Sequence, residues 1–169
     1  MKRTGVLISA TAALLFGFAT MAQAADKVSA NDFAEEASAK GIAEIETGKL
    51  ALEKGSSAEV KKFAQAMIDD HTRANEELKA LAKKKNLEVS DDAELMNKAK
   101  AMILQVRDGE NFDKAYANNQ VVAHEQTIKL FQQAAASDDA EVSAWAKKTL
   151  PKLEHHLEMA KKLQSQTHH

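Results

Sequence analysis

The feature that most constrains the fold is a row of side chains spaced alternately four and three positions apart, because this spacing aligns them on one face of an α-helix. One row runs through Val60, Ala64, Met67, His71, Ala74, Leu78 and Leu81, and a second through Val142, Ala146, Thr149, Leu153, His156, Ala160 and Leu163. Each member of the second row lies 82 positions after its partner in the first. The sequence therefore predicts two copies of one long amphipathic helix.

A similar repetition precedes both rows. Residues 42–50 match residues 122–130 at several positions, displaced by 80, so each of these helices closely follows another helix. Short connections make each pair an antiparallel hairpin. The single proline, the six glycines and the 5% aromatic content argue against a β-sandwich. We predict an all-α, ferritin-like four-helix bundle, in which the two antiparallel hairpins are joined by a crossover that contains a short extra helix.

Capping boxes indicate where these helices begin. In such a box, an N-cap side chain and a glutamate three residues later each bind the other's backbone amide. The boxes are Ser56 with Glu59, Asp91 with Glu94, and Asp138 with Glu141. The predicted helices cover about 30–54, 57–85, 91–107, 110–136 and 138–165, the third of them inside the crossover. Gly55 and Gly109 are predicted to adopt the left-handed conformation that ends a helix.

Residues 1–24 are typical of a secretory signal peptide, with two basic residues, an apolar stretch and a small-residue cleavage pattern that ends at Ala24. We predict cleavage after Ala24 and a periplasmic or secreted protein. Residues 25–169 are predicted to form one domain with its core over 30–165. This mature chain has no further segment of the roughly 20 apolar residues that a membrane crossing needs.

The composition of the mature chain excludes several classes of protein. It has no cysteine, so neither a disulfide nor a thiolate metal site is available. Without the two basic residues of the signal peptide, 21 basic and 25 acidic side chains remain, a formal charge of 21 − 25 = −4. Because binding to a phosphate backbone depends on a clustered basic face, we do not expect nucleic acid as a partner.

Four polar side chains interrupt the apolar faces of the predicted helices: Glu44, His71, His124 and His156. Imidazole and carboxylate groups are ligands of transition metals, and metal binding offsets the unfavourable burial of polar groups. The four residues are therefore candidate ligands of one transition-metal ion. The alternative is a buried hydrogen-bond network without metal, in which Glu44 pairs with His71. We assign no catalytic residue.

The depth of these residues in the bundle depends on where the two hairpin turns lie. If the turns lie at opposite ends, Glu44, His71 and His124 fall within about one helical turn of each other. His156 then lies almost two turns from His71. If the turns share one end, all four residues lie within roughly 10 Å along the axis. The sequence leaves both arrangements open, and it leaves open whether Pro151 orients His156 or only curves the helix.

Two neighbours of the histidines carry expectations of their own. Asp70 precedes His71 and is a candidate to orient its ring. His155 precedes His156 and points about 100° away from it, so we expect it at the surface.

Three runs of sequence resemble an exported bacterial family, the domain of unknown function 4142: AEIETGKLALEKGSSAEVKKFAQAMIDDHTRANEELKALAKKK, FDKAYANNQVVAHEQTIKLF and AKKTLPKLEHHLEMAK. The resemblance spans about residues 30–163. It implies a ferritin-like fold and an envelope location, since some members are labelled outer-membrane proteins, and it implies no activity. By similarity, the recurrent histidines of the family fall on His71, His124 and His156.

The chain departs from working ferritins in its ligands. Di-iron carboxylate bundles carry a Glu-x-x-His pair on two of their helices. Here the residues three positions before the candidate histidines are Ile68, Val121 and Leu153. A di-iron centre is therefore not expected.

The sequence favours an exported, non-catalytic protein of the cell envelope, which holds either one metal ion or a structural polar network inside its bundle. A metal-dependent enzyme that uses Glu44 and the histidines is the second hypothesis. A module that binds another cell-envelope protein is the third. The sequence does not fix the metal, a substrate, a partner or the oligomeric state.

Overall fold

The computed structural model describes residues 27–90 and 108–168, and in these two ranges the chain forms four long helices and no strand. The helices are α1 (Ala30–Lys54), α2 (Ala58–Lys85), α3 (Glu110–Ala135) and α4 (Ala140–Thr167). The prediction of an all-α four-helix bundle is confirmed. The predicted signal peptide, the capping box at Asp91 and the extra helix over 91–107 lie outside the described residues.

The N-cap residues of two helices each lie one position after the predicted cap. Ser57 caps α2, accepting a hydrogen bond from the amide of Val60 at 3.0 Å, and Asp139 caps α4. The predicted caps Ser56 and Asp138 are wrong, because both side chains have other partners. The Ser56 hydroxyl donates to Asp113, and Asp138 accepts from Lys27.

The predicted left-handed helix ends are also wrong. Gly55 ends α1 in an extended conformation, with φ −64° and ψ 142°. Asn86 ends α2 with φ 53° and ψ 41°, which is the left-handed conformation that asparagine tolerates better than most residues. Gly109 has φ 74°, but it precedes α3 instead of ending a helix. A positive φ at this point favours glycine, which has no Cβ to clash with the backbone.

The two hairpin turns lie at opposite ends of the bundle. The amide of Gly109, at the start of α3, donates to the carbonyl of Lys54 at the end of α1. The ammonium group of Lys85, at the end of α2, lies 2.8 Å from Asp139 at the start of α4. Helices α2 and α3 therefore run in the same direction, and the segment between them starts at one end of the bundle and finishes at the other.

A buried carboxylate joins the two hairpins at the end where α1 meets α2. Asp113, in the first turn of α3, accepts hydrogen bonds from the Ser56 hydroxyl at 2.6 Å and from the Ser56 and Ser57 amides at 3.1 and 2.9 Å. Its side chain is almost fully buried. These contacts satisfy amides that the turn leaves without helical partners.

The apolar core consists of two clusters, one toward each end of the bundle. The first cluster, near the α1–α2 turn, includes Phe63, Met67, Phe112, Tyr116, Val121, Ala160 and Leu163. The second cluster, near the α3–α4 turn, includes Phe33, Leu78, Ile128, Phe131, Val142 and Leu153. Along α2, α3 and α4, one histidine falls between the residues of the two clusters. The polar residues thus form a layer between two apolar regions.

Helices α1 and α2 approach each other closely at Gly48. A Cβ atom at this position would lie 2.8 Å from Cγ1 of Ile68 and 3.1 Å from the carbonyl oxygen of Ala64. The second of these atoms belongs to the backbone and moves only if α2 moves. Gly48 therefore sets the spacing of the first hairpin.

Pro151 lies inside α4 on its exposed face, where the carbonyl that loses its amide partner can reach water. Whether the proline orients His156 stays a prediction.

In the described parts of the chain, no helix is both long and apolar enough to span a bilayer.

We expect the Gly48→Ala substitution to lower the free energy of unfolding by about 1 kcal/mol. Alanine gains about 1 kcal/mol in helix propensity, but overpacking a close contact typically costs about 1–3 kcal/mol. Urea unfolding measures the difference. Glu53→Ala on the exposed face of the same helix is the control, with a change within about 0.5 kcal/mol. A Gly48→Ala protein as stable as the unsubstituted one contradicts the close approach.

Candidate metal centre

Three buried histidines from three helices meet in the polar layer. His71 of α2, His124 of α3 and His156 of α4 each bring one ring nitrogen to within 4.8 Å of the others. Their ring centroids are 5.5 to 5.7 Å apart. The exposed fractions of the three residues are 7%, 1% and 3%. The helical faces predicted from the sequence therefore place three of the four candidate ligands together.

The predicted depth of His156 is wrong. With the turns at opposite ends, counting from the turns separated His156 from His71 by almost two helical turns, but their ring centroids are 5.5 Å apart. The ion pair of Lys85 with Asp139 sets the true register. From this pair His71 lies 85 − 71 = 14 residues along α2, and His156 lies 156 − 139 = 17 residues along α4. The difference of three residues is about 4.5 Å, which side chains span.

Two of the three rings are oriented by hydrogen bonds on their outer side. Nδ1 of His124 lies 2.9 Å from the backbone oxygen of Gln120, and Nε2 of His156 lies 2.9 Å from Oδ2 of Asp70. Both oxygens only accept, so these ring nitrogens carry the hydrogens and donate. The other nitrogen of each ring therefore has a free lone pair. Histidines that bind metals are commonly held in this way by a carbonyl or carboxylate oxygen.

The free ring nitrogens have no hydrogen-bond partner among residues 27–90 and 108–168. Nε2 of His71, Nε2 of His124 and Nδ1 of His156 are buried without a hydrogen bond. Buried polar atoms without a partner are rare in native proteins and call for a bound water, an ion or a functional role. Three such atoms on neighbouring rings indicate a site for a ligand that accepts lone pairs.

Burial also lowers the pKa of two of the rings, those of His71 and His156. It lowers the pKa of His71 from 6.5 to about 3, assisted by the neighbouring His124 and His156. It lowers the pKa of His156 from 6.5 to about 4, although the hydrogen bond to Asp70 acts in the opposite direction. Both rings are therefore neutral near pH 7, which is the state that binds metals.

Asp70 orients a different histidine from the one predicted. It lies beside His71 in the sequence, but its carboxylate binds His156 across the α2–α4 interface. Its second oxygen accepts from Lys152 at 2.9 Å. Burial acts to raise the pKa of Asp70, but the bonds from Lys152 and His156 outweigh it and lower the pKa. Asp70 is thus an ionised partner for the His156 ring.

Glu44 is buried on α1 but does not join the three histidines. In the described ranges, the group of ligand atoms within 4.8 Å contains the histidines alone. Burial raises the pKa of Glu44, while His124, Gln120 and Lys40 act to lower it. Its Oε2 atom has no hydrogen-bond partner, and no hydrogen bond joins it to His71 among the described side chains. The expected structural pair of Glu44 with His71 is therefore wrong.

Two buried polar residues of α3 escaped the sequence reasoning as parts of the site. Tyr116 and Gln120 precede His124 by eight and four positions, so all three lie on one face of the helix. The Tyr116 hydroxyl and both polar atoms of the Gln120 side chain are buried and form no well-aligned hydrogen bond with a described residue, although Gln120 lies close enough to Glu44 to lower its pKa. The spacing of four residues from Tyr116 to Gln120 and from Gln120 to His124 is the feature of the sequence that could have identified them. The prediction for His155 is confirmed, since its side chain is exposed to 67%.

The arrangement suits one tetrahedral metal ion with three nitrogen ligands. Zinc–imidazole bonds of about 2.0–2.1 Å place the nitrogens of such a site roughly 3.4 Å apart. The nitrogens here lie within 4.8 Å of one another, so binding draws them closer by up to about 1.4 Å. Small shifts of side chains on three helices can supply this movement.

Comparison with known families gives one match. The model of a family described as a domain of unknown function (DUF4142) matches residues 17–163. No curated protein and no solved structure matches the chain.

In the metal-free protein, we expect the free energy of unfolding to fall as the pH falls from about 6.5 to 4. Across this range the unfolded chain binds protons on His71 and His156, whose pKa values in the folded chain are about 3 and 4. Each contributes about 1.4 kcal/mol per pH unit. The pKa of Glu44 is raised in the folded chain. Above about pH 4.5, protonation of Glu44 therefore increases the free energy of unfolding as the pH falls, which opposes the effect of the two histidines.

Urea unfolding of the chelator-treated protein at several pH values measures this slope. His71→Leu removes one contribution and should flatten the slope by about 1.4 kcal/mol per pH unit. His155→Leu, at an exposed position, should leave it unchanged. An unaltered slope in His71→Leu contradicts a neutral, buried His71.

Proposed function

Because the chain belongs to the DUF4142 family, whose description assigns no activity, we propose a function from the site itself. The protein binds one divalent transition-metal ion, Zn²⁺ or Cu²⁺, through His71, His124 and His156. The observation that carries this proposal is that three buried rings each bring one nitrogen to within 4.8 Å of the others. Each ring also has one buried nitrogen without a partner among the described residues, and two of the rings are already oriented by outer hydrogen bonds.

The chemistry of the ligands selects the kind of metal. Neutral imidazole suits Zn²⁺ and Cu²⁺, whereas Mg²⁺ and Ca²⁺ require oxygen ligands. Among divalent ions of the first row, Cu²⁺ binds nitrogen ligands most tightly. A di-iron centre needs several carboxylate ligands, and in the described residues the group of ligand atoms within 4.8 Å contains the three histidines and no carboxylate.

The position of the site suggests what binding does to the protein. His71 belongs to the first hairpin, and His124 and His156 belong to the second. A metal held by all three links the hairpins through the middle of the bundle. The three rings then gain the partner that the apolar surroundings do not provide, and the folded state is stabilised by mass action.

The predicted signal peptide supports a role outside the cytoplasm. We propose an exported envelope protein that holds its metal without a catalytic function of its own. The competing explanation, a structural network without metal, is weakened by the unpartnered nitrogens, because such a network satisfies its members.

Metal analysis of the mature, untagged chain tests the proposal. His168→Ala and His169→Ala remove the terminal histidines, which could bind metal adventitiously. We expect one Zn²⁺ or Cu²⁺ per chain and a higher Tm. Free metal at 100 times Kd stabilises the fold by about 2.7 kcal/mol, which corresponds to roughly 5–10 °C.

Variants of the site separate specific from adventitious binding. His71→Ala, His124→Ala and His156→Ala should each abolish stoichiometric binding. Asp70→Asn removes the charge that orients His156 and should weaken binding about 10- to 100-fold. His155→Ala is the matched control and should bind as the parent does. A parent protein that takes up no stoichiometric metal and shows no thermal shift contradicts the proposal.

A further inference from the structure

A small cavity lies against the histidine layer on the side of α2 and α4. Its volume is about 30 Å³, and its wall includes His71, His156, Ala74 and Leu153. One water molecule requires about 10–15 Å³ on the same measure. The cavity therefore has room for a ligand of about two or three non-hydrogen atoms next to two of the three rings.

A groove on the surface lies beside this cavity. The groove has a volume of about 200 Å³ and lies between α2 and α4. It shares Asp70, Ala74, Thr149 and Lys152 with the wall of the cavity. The side chain of Ala74 is a single methyl group, so the separation between groove and cavity at this position is thin.

The histidine layer supplies three ligands, and a tetrahedral ion needs four. In the described chain no fourth histidine or carboxylate lies within the 4.8 Å group. Metal sites with three protein ligands keep the fourth position for water or another exogenous ligand. The cavity is the space beside the rings where that ligand fits.

The charge of the site determines the kind of ligand. Three neutral imidazoles leave the full charge of a divalent ion in a buried position, where an uncompensated charge is strongly unfavourable. The groove carries Arg73, Lys148 and Lys152 against Asp70 and Glu77. Lys148 and Lys152 are bound to these two acids, which leaves the groove with one excess positive charge. Both features favour an anion.

We propose that the metal keeps one coordination position open toward this cavity and takes up a small, linear anion that enters through the α2–α4 groove. The ligand class is a monovalent anion of up to three non-hydrogen atoms, such as hydroxide, azide or cyanate. Binding is an exchange of one ligand for another, without oxidation or reduction. The inference rests on the proposed metal binding and specifies which class of ligand can reach the bound metal.

The test uses the full mature chain loaded with Cu²⁺ and titrated with azide. Azide bound to Cu²⁺ gives a charge-transfer absorption band that neither component shows alone. We expect saturable appearance of this band. Phosphate, which exceeds the cavity in size, should neither produce a spectral change nor compete with azide.

Ala74→Leu tests the route. Leucine fills the cavity, so the variant should bind Cu²⁺ but lose azide affinity at least 10-fold. Ala80→Leu adds the same side chain to the exposed face of the same helix and should bind azide as the parent does. Equal azide affinity in Ala74→Leu and the parent overturns the proposed route.

The azide titration of the parent protein tests the proposal even if Ala74→Leu fails to fold. A copper-loaded parent without an azide band overturns the open position. If the band is absent in the parent and appears in Glu44→Gln, then Glu44 occupies the fourth position and the inference is wrong. A parent that does not bind Cu²⁺ at all contradicts the proposed function instead, so the two failures are distinguishable.

Discussion

The structure depends on one arrangement, the burial of three imidazole rings in a layer between two apolar clusters. The apolar surroundings exclude water and keep His71 and His156 unprotonated near pH 7, with pKa values of about 3 and 4. The same surroundings leave three ring nitrogens without a partner. Neutral rings with free lone pairs are poor members of an apolar core and good ligands. The metal proposal and the open coordination position both follow from this conflict between burial and polarity.

The sequence predicts the helices well because burial imposes the helical period directly. The rows through Val60 and Val142 point inward as expected, and all four helices begin and end within two residues of the prediction. The helix caps are less predictable, because a cap depends on what else its side chain contacts. Ser56 has the right chemistry for a cap, but Asp113 from another helix binds it instead.

Which residues meet in the site is harder to predict than which face of its helix each residue occupies. The helical period tells which side of a helix a residue occupies, but not how far one helix slides along its neighbour. An ion pair at the end of the bundle, between Lys85 and Asp139, sets that register and brings His156 level with His71. Glu44 is buried, as its position on the apolar face predicts, yet its carboxylate lies outside the group of ligand atoms. The 82-residue displacement pairs His71 with Leu153 and Ala74 with His156, so the two histidines do not occupy equivalent positions of the predicted repeat.

The buried carboxylate of Asp113 has a consequence for the histidines that it does not touch. It fixes the turn of one hairpin to the first helix of the other, 124 − 113 = 11 residues from His124, or about 16 Å along α3. The rings come from both hairpins, so the distances among their nitrogens depend on how the hairpins are aligned. The distances among the three ring nitrogens therefore depend in part on contacts at the end of the molecule. Substitutions remote from the polar layer can change these distances while all three histidines are still present.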